Sequence, residues 1–115
     1  MTRTAPARGE VWHAELEPIR GHEQGGRRPV LVLSADRFNA GPAGLVVAVP
    51  ITSRLRDWAG HVPILPPEGG LRVPSAAMCE ALRSLDQSRL SHPWGRVGRR
   101  TLARVEDAVR ILLDL

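Results

Sequence analysis

The residues from Gly21 to Val30, GHEQGGRRPV, combine side chains capable of chemistry with a backbone that can bend tightly. His22 and Glu23 stand before two glycines, and two arginines follow. Glycine adopts backbone conformations that other residues avoid, and guanidinium groups bind phosphate through several N–H donors. The segment is therefore interpreted either as an anion-binding loop or as a tight turn whose arginine makes a surface ion pair.

A second pair of polar side chains, Thr52 and Ser53, lies where the apolar run LVVAVPIT (45–52) ends. Arg28 stands just before another apolar run, PVLVLSA (29–35). Both runs are typical of buried strands. If these strands are neighbours, Arg28 and Thr52 converge on one rim of the sheet. A guanidinium beside a hydroxyl, with loop amides nearby, is a reasonable phosphate pocket.

The remaining reactive side chains carry weaker signals. His13, His61 and His92 lack the spacing of zinc ligands and are interpreted as surface or core residues, whereas His22 lies in the candidate loop. Glu80 and Arg83 either line a groove or pair with each other. Trp58 can stack on bases, and Trp12 is assigned to the core. The only cysteine, Cys79, excludes an intrachain disulfide and is interpreted as packed rather than reactive.

The elements around these residues predict a mostly β domain. Strands are predicted at 10–16, 29–35, 45–52 and 61–67, with a turn and one helical turn after residue 36. Leu102, Val105, Val109 and Leu112 recur at spacings of three and four, which predicts a helix over 101–113 capped by Thr101. The segment 75–86 suits either helix or strand. Residues 1–8 are predicted to be a flexible tail, followed by a single domain over 9–115 with a strongly curved sheet or barrel.

The composition of the 115 residues sets broader limits. Apolar residues make up 43% of the chain, and the net charge is +4, with all 16 basic residues being arginine. The arginines reflect either a GC-rich genome or a nucleic-acid partner. Nothing approaches the roughly 20 consecutive apolar residues of a membrane-spanning helix, and the N-terminus does not resemble a secretory signal. The expected location is the cytoplasm.

The segments RGEVWHAELEP, GHEQGGRRPVLVLS, VVAVPITS and EALRSLDQSRL, in this order before an amphipathic helix, resemble the MazF/PemK/Kid family of type II toxin–antitoxin toxins. The most specific pieces are the G-x-E-Q-x-G-x-R-P-V signature at Gly21–Val30 and P-x-T-S at Pro50–Ser53. The resemblance implies a small SH3-like, CcdB/MazF-type β-barrel with a C-terminal helix, and a strand at 75–86. It also implies a homodimer and a MazE-like antitoxin partner.

The activity that the resemblance implies is sequence-specific cleavage of single-stranded RNA without a metal or cofactor, leaving 2',3'-cyclic phosphate and 5'-hydroxyl ends. Arg28 then matches the main catalytic residue, Thr52 its partner, and Glu23 a third catalytic group. The general base and acid remain open among Glu23, His22, water and Arg28 itself. The expected RNA contacts are His22, Gln24, Arg27, Ser53, Trp58, Glu80 and Arg83.

One departure from the family favours the mechanism centred on Arg28 and Thr52. Kid-like members carry Arg-Cys-Asp where this chain has Met78-Cys79-Glu80, and methionine cannot carry charge. Two alternatives stay open: a non-catalytic, CcdB-like toxin that inhibits a protein such as gyrase, and a nucleic-acid-binding barrel without chemistry.

Overall fold

The computed structural model describes residues 4–17, 21 and 26–115. They form seven strands and two helices: β1 Glu10–Glu15, β2 Arg27–Val32, α1 Asp36–Asn39, β3 Leu45–Thr52, β4 His61–Ile64, β5 Ser75–Met78, β6 Arg83–Asp86, β7 Leu90–Arg96 and α2 Arg99–Leu113. Short 3-10 turns occupy Glu68–Gly70, Cys79–Ala81 and Gln87–Arg89. None of the helices in this part of the chain is long and apolar enough to cross a membrane.

The strands form one antiparallel sheet in the order β4-β5-β3-β2-β1-β7, and β6 also pairs with β3. β3 lies at the centre. One of its edges pairs with β2, and its other edge pairs first with β6 and then with β5. The prediction of a mostly β fold with a C-terminal helix is confirmed. The sheet is not closed, because β4 and β7 end the order without pairing to each other.

The change of partner along β3 explains two features of the sequence. Pro50 lacks a backbone N–H, and it lies where the edge of β3 passes from β6, opposite residues 45–48, to β5, opposite residues 51–52. The predicted strand at 75–86 is interrupted for the same reason. Its two halves pair with different parts of β3, and its good helix formers make the 3-10 turn Cys79–Ala81 between them.

The central strands bury side chains on both faces of the sheet, which accounts for their continuous apolar runs. Neighbouring residues alternate between two buried clusters: Val11 and Leu31 belong to one, and Trp12 and Val30 belong to the other. α2 contributes to the first cluster through buried residues on one side of the helix, including Val105. Trp12 is therefore a core residue, as predicted.

α2 begins two residues earlier than predicted, at Arg99, and its N-cap is Gly98 rather than Thr101. Thr101 is buried within the first turn, so the capping prediction is wrong. Ile111 is 82% exposed, and the neighbouring apolar residues at 112, 113 and 115 are exposed as well. The C-terminal end of α2 thus presents an apolar surface to solvent.

Part of the segment 1–8, predicted as a flexible tail, contacts the domain. Residues 1–3 lie outside the described residues, whereas Pro6 is buried. The guanidinium of Arg8 pairs with Glu106 of α2 and donates to the carbonyl of Leu33, and its backbone N–H donates to Asp36. These contacts attach residues 6–8 to the domain.

Candidate active site

The candidate loop leads into β2 at Gly26, whose backbone is held by two hydrogen bonds. Gly26 has a φ of 75°, its N–H donates to a Glu17 carboxylate oxygen at 2.7 Å, and its carbonyl accepts from the N–H of Leu16 at 2.9 Å. A positive φ of this size favours glycine. His22, Glu23 and Gln24, which the sequence places in the candidate site, lie outside the described residues. The structure therefore describes the site from the first residue of β2 onward.

Arg27, the first residue of β2, points outward and forms an ion pair with Glu15 of β1, with Nε 2.9 Å from Oε2. This hydrogen bond holds the pKa of Glu15 below its usual value. The side chain of Arg27 remains 77% exposed, so it can still contact a ligand. An exposed ion pair of this kind contributes little to stability.

Arg28 and Thr52 come together because of the register between β2 and β3. Val30 lies opposite Pro50, and Leu31 lies opposite Val49. Continuing this register by two residues places Arg28 opposite Thr52, and directly opposed residues on antiparallel strands point to the same face. Both residues line the same clefts, so the predicted convergence is confirmed.

The Thr52 hydroxyl is oriented by the loop after β3. The backbone N–H of Arg54 donates to Thr52 Oγ1 at 3.1 Å. A hydroxyl has one hydrogen to donate as well as its acceptor lone pairs. The hydroxyl therefore accepts a hydrogen bond from the backbone through its oxygen and retains the capacity to donate one.

Arg28, Thr52 and Ser53 form the common wall of two clefts. The first, here called the Trp58 cleft, has a volume of about 780 Å³ and is lined by Arg28, Thr52, Ser53, Arg54, Arg56, Trp58, His61, Met78 and Glu80. The second, the Trp94 cleft, has a volume of about 820 Å³; besides the common wall, its lining includes Arg27, Arg72, His92 and Trp94. Both clefts carry more arginine than carboxylate among their described residues, which suits an anionic ligand.

Glu80 is held at the wall of the Trp58 cleft by a histidine that the sequence did not single out. His61 Nε2 lies 3.0 Å from Glu80 Oε2, and the His61 side chain is only 6% exposed. The Trp58 ring meets His61 edge-on, with 5.0 Å between the ring centroids. The 3-10 turn brings Glu80 toward His61, 19 residues away in sequence. No local sequence pattern reveals this pairing.

The structure gives no support to the predicted RNA contact of Arg83. Arg83 lies in β6 opposite Ala48, four residues before Thr52 on β3, and it lines neither cleft. Its Nη1 atom is buried, and none of the described residues forms a hydrogen bond with it. The 3-10 turn causes this separation, because it moves Arg83 to a strand that pairs with the opposite half of β3.

Cys79 is buried in the core cluster beneath the sheet. Burial raises the pKa of its thiol to about 11, and the nearby Glu80 carboxylate acts in the same direction. This agrees with the predicted packing role, because a neutral thiol is a poor nucleophile. In the described part of the chain, no group of three or more His, Cys, Asp or Glu residues is arranged to hold a metal ion.

The sequence of the chain matches a known protein family. Residues 7–113 match the sequence model described as "PemK-like, MazF-like toxin of type II toxin-antitoxin system". The chain is 37% identical over 113 residues to the endoribonuclease MazF9 of Mycobacterium tuberculosis, covering 94% of this chain and 96% of the relative.

Solved structures agree with the sequence match. MazF from Deinococcus radiodurans superposes with a TM-score of 0.87 at 34% identity, covering 96% of this chain and 98% of that one. A chain of the MazE–MazF structure (form II) from the same organism gives a TM-score of 0.79 at 35% identity, covering 96% and 97%. The chain therefore belongs to the PemK-like, MazF-like toxins of type II toxin–antitoxin systems.

Proposed function

We propose that this protein is an endoribonuclease toxin that cuts single-stranded mRNA in the cytoplasm. The observation that carries the proposal is that Arg28 and Thr52 together line the wall shared by two arginine-rich clefts. The relative from M. tuberculosis is named an endoribonuclease, which supports the same activity here.

The reaction is attack of a ribose 2'-oxygen on the adjacent phosphorus, which forms the 2',3'-cyclic phosphate as the bond to the 5'-oxygen breaks. Negative charge builds on the non-bridging oxygens during this step. Arg28 neutralises that charge, and the hydroxyl of Thr52 donates a hydrogen bond to one of those oxygens. These two groups stabilise the transition state without a metal ion or cofactor.

Proton transfer completes the mechanism. The attacking 2'-hydroxyl must lose a proton, and the leaving 5'-oxygen must gain one. Glu23 and His22, from the loop that leads into β2, are the proposed groups, with water and Arg28 as the remaining alternatives. A guanidinium hardly releases a proton, so Arg28 serves first as a cation.

RNA binding uses the residues around this centre. Trp58 stacks on an unpaired base, and Ser53 and Arg27 contact phosphates beside the cut. Gln24 belongs to the loop that reads sequence. Glu80, held by His61, accepts a hydrogen bond from a base edge in the Trp58 cleft. A carboxylate accepts but does not donate, so this position favours a base that presents N–H groups.

Two partners complete the proposal. An acidic, MazE-like antitoxin segment folds onto the basic groove at Arg28 and blocks the site. The MazE–MazF structure from D. radiodurans supports an antitoxin partner. A second copy of the chain covers the exposed apolar residues at the end of α2, among them Ile111 and Leu115. Light scattering of the purified protein tests the homodimer, which predicts twice the mass of the chain.

The experiment that tests the activity is incubation of the purified protein with a long RNA in the presence of EDTA. Wild type is expected to cut the RNA, and Arg28→Ala is expected to abolish cutting while leaving the circular dichroism spectrum unchanged. Sequencing the fragment ends gives both the cleaved sequence and the chemistry of the termini. Binding without cutting would favour a non-catalytic nucleic-acid-binding domain, and indifference to RNA together with binding to gyrase would favour a CcdB-like inhibitor.

A further inference from the structure

The Trp94 cleft has no assigned role, although it shares the Arg28–Thr52 wall with the Trp58 cleft. Of the described residues that line it, none is acidic, and two exposed arginines, Arg27 and Arg72, line it together with Arg28. Its positive side chains thus continue from the proposed cleavage centre onto a second surface. A polyanion that reaches Arg28 meets further cations in this direction.

Trp94 and His92, which line the Trp94 cleft, belong to an aromatic stack with His13. The Trp94 ring lies 5.6 Å from the ring of His13 with an interplanar angle of 19°, and His13 stacks on His92 at 5.4 Å. The register of β1 and β7 causes this arrangement, because His13 lies opposite His92. Trp94 nevertheless remains 39% exposed, which leaves ring surface for a ligand.

Hydrogen bonds fix the orientation of the stack. Trp94 Nε1–H donates to His92 Nε2 at 3.1 Å, and His92 Nδ1 lies 3.2 Å from Ser91 Oγ. The indole N–H is therefore already hydrogen-bonded, and the face of the Trp94 ring is the part that a ligand can contact. A preoriented ring loses little entropy on binding, and every nucleobase has a face that can stack on it.

The backbone of Trp94 and Gly95 packs closely against the backbone of Gly69 and Gly70. A Cβ added at Gly70 would lie 2.1 Å from the carbonyl oxygen of Trp94, and one added at Gly95 would lie 2.7 Å from the N of Gly70. The 3-10 turn Glu68–Gly70 is thus fitted against β7, and Arg72 follows that turn by two residues. The close packing of this turn against β7 brings Arg72 and Trp94 to the same cleft.

We propose that the Trp94 cleft is a second nucleotide-binding site, which holds RNA on the side of the cut opposite to the Trp58 cleft. The strand crosses the Arg28–Thr52 wall at the scissile phosphate, one flanking base stacks on Trp58, and a base on the other side stacks on Trp94. Arg27 and Arg72 bind the phosphates of that second side. The inference rests on the proposed ribonuclease function and adds Trp94, His92 and Arg72 to its site.

RNA fits this cleft better than an acidic peptide does. Carboxylates would pair with the arginines, but they would leave the ring of Trp94 without a matching group. Nucleotides supply both a phosphate for each arginine and a base for the ring. Continuity with the proposed cleavage centre also requires a ligand that extends past Arg28.

The test uses a short single-stranded RNA centred on the mapped cut site, with a 2'-O-methyl group on the cut nucleotide so that attack is blocked. Its Kd is measured by fluorescence anisotropy at one fixed salt concentration. Trp94→Ala is expected to weaken binding roughly tenfold, and Trp94→Phe, which keeps a ring, about twofold or less. Trp58→Ala is the matched variant in the other cleft.

Abasic nucleotides assign the sides. When the bases on one side of the cut are removed, the loss caused by Trp94→Ala should disappear and that of Trp58→Ala should persist. Removing the bases on the other side should reverse this pattern. Loss of both effects from the same side, or binding by Trp94→Ala within about twofold of wild type, would overturn the proposal. If Trp94→Ala weakened binding of poly-glutamate and left RNA binding unchanged, the proposal would also be overturned, since the cleft would then bind an acidic protein segment.

Photocrosslinking of the wild-type protein covers the case in which Trp94→Ala does not fold. An RNA carrying 5-iodouracil on one side of the cut should crosslink to Trp94, and one modified on the other side should crosslink to Trp58. Crosslinks to Trp58 alone from both sides would overturn the second site. Cutting that depends on Arg28 would still support the proposed function in that case, whereas a wild type that neither binds nor cuts RNA would overturn both.

Discussion

Gly70 offers a quantitative test of how the wall of the Trp94 cleft is built. Its φ is 72°, and a Cβ at this position would lie 2.1 Å from the carbonyl oxygen and 2.6 Å from the carbonyl carbon of Trp94. Gly44 has nearly the same φ, 70°, with nothing within 4 Å of an added Cβ. Gly44→Ala therefore introduces only backbone strain, whereas Gly70→Ala introduces the same strain and a collision with backbone.

The expected magnitudes follow from these two contributions. A left-handed backbone conformation costs a residue with a Cβ about 1–2 kcal/mol. Overpacking that forces backbone to move adds about 1–3 kcal/mol. Gly44→Ala should therefore lower the free energy of unfolding by about 1–2 kcal/mol, and Gly70→Ala by about 2–5 kcal/mol. At about 4 °C for each kcal/mol in a domain of this size, the Tm values of the two variants should differ by about 4–12 °C.

Urea denaturation followed by circular dichroism measures the difference directly, provided that the slopes of the transitions agree. Gly70→Ala should also weaken RNA binding, because it pushes β7 and Trp94 outward, while Gly44→Ala should bind RNA as wild type does. Equal stability losses in the two variants would refute the packing of the 3-10 turn against β7. A stable Gly70→Ala variant with normal RNA affinity would refute the link between this turn and the cleft.

Three further predictions concern the active site, the core and the titrating groups. Thr52→Val should lower kcat on RNA by about a hundredfold with little change in Tm, since it removes one hydrogen-bond donor to the phosphate; a rate near that of wild type would remove Thr52 from the mechanism. Val105→Ala should lower the free energy of unfolding by about 2 kcal/mol, whereas the exposed Arg104→Ala should change it by less than about 0.5 kcal/mol, as urea titration can show. Cys79, with its pKa raised to about 11, should react with a thiol reagent at pH 7.5 far more slowly in the native protein than in urea, and equal reaction rates would contradict its burial. Because the native state retains the thiol proton at a pH where the unfolded state has lost it, the free energy of unfolding should fall as pH rises above about 9.

The sequence predicts the parts of the fold that depend on local patterns. Continuous apolar runs locate β2 and β3, since both faces of these strands are buried. The helical spacing of Val105 and Val109 locates α2. The segment 75–86 cannot be resolved in this way, because its division into β5, a 3-10 turn and β6 depends on which part of β3 each half meets.

Some residues of the candidate site can likewise be predicted from local sequence patterns, and others cannot. Arg28 and Thr52 can be brought together from the sequence, because each lies at an end of a strand and the two strands pair in register. His61 and Trp94 cannot, because their roles arise from contacts with residues that are distant in sequence. Arg83 is the opposite case. An arginine close to Glu80 in sequence is predicted to contact RNA, but one intervening turn places it opposite the other half of β3.

The two aromatic side chains proposed to flank the cut site are carried by the outer parts of the molecule, Trp58 by the segment after β3 and Trp94 by the last strand of the sheet. Thr52, by contrast, ends a central strand that has partners on both sides. Substitutions during divergence can therefore alter which RNA sequences are attacked by changing the periphery alone. Descendant toxins with new targets need not disturb the arginine and threonine that we propose to perform the cut.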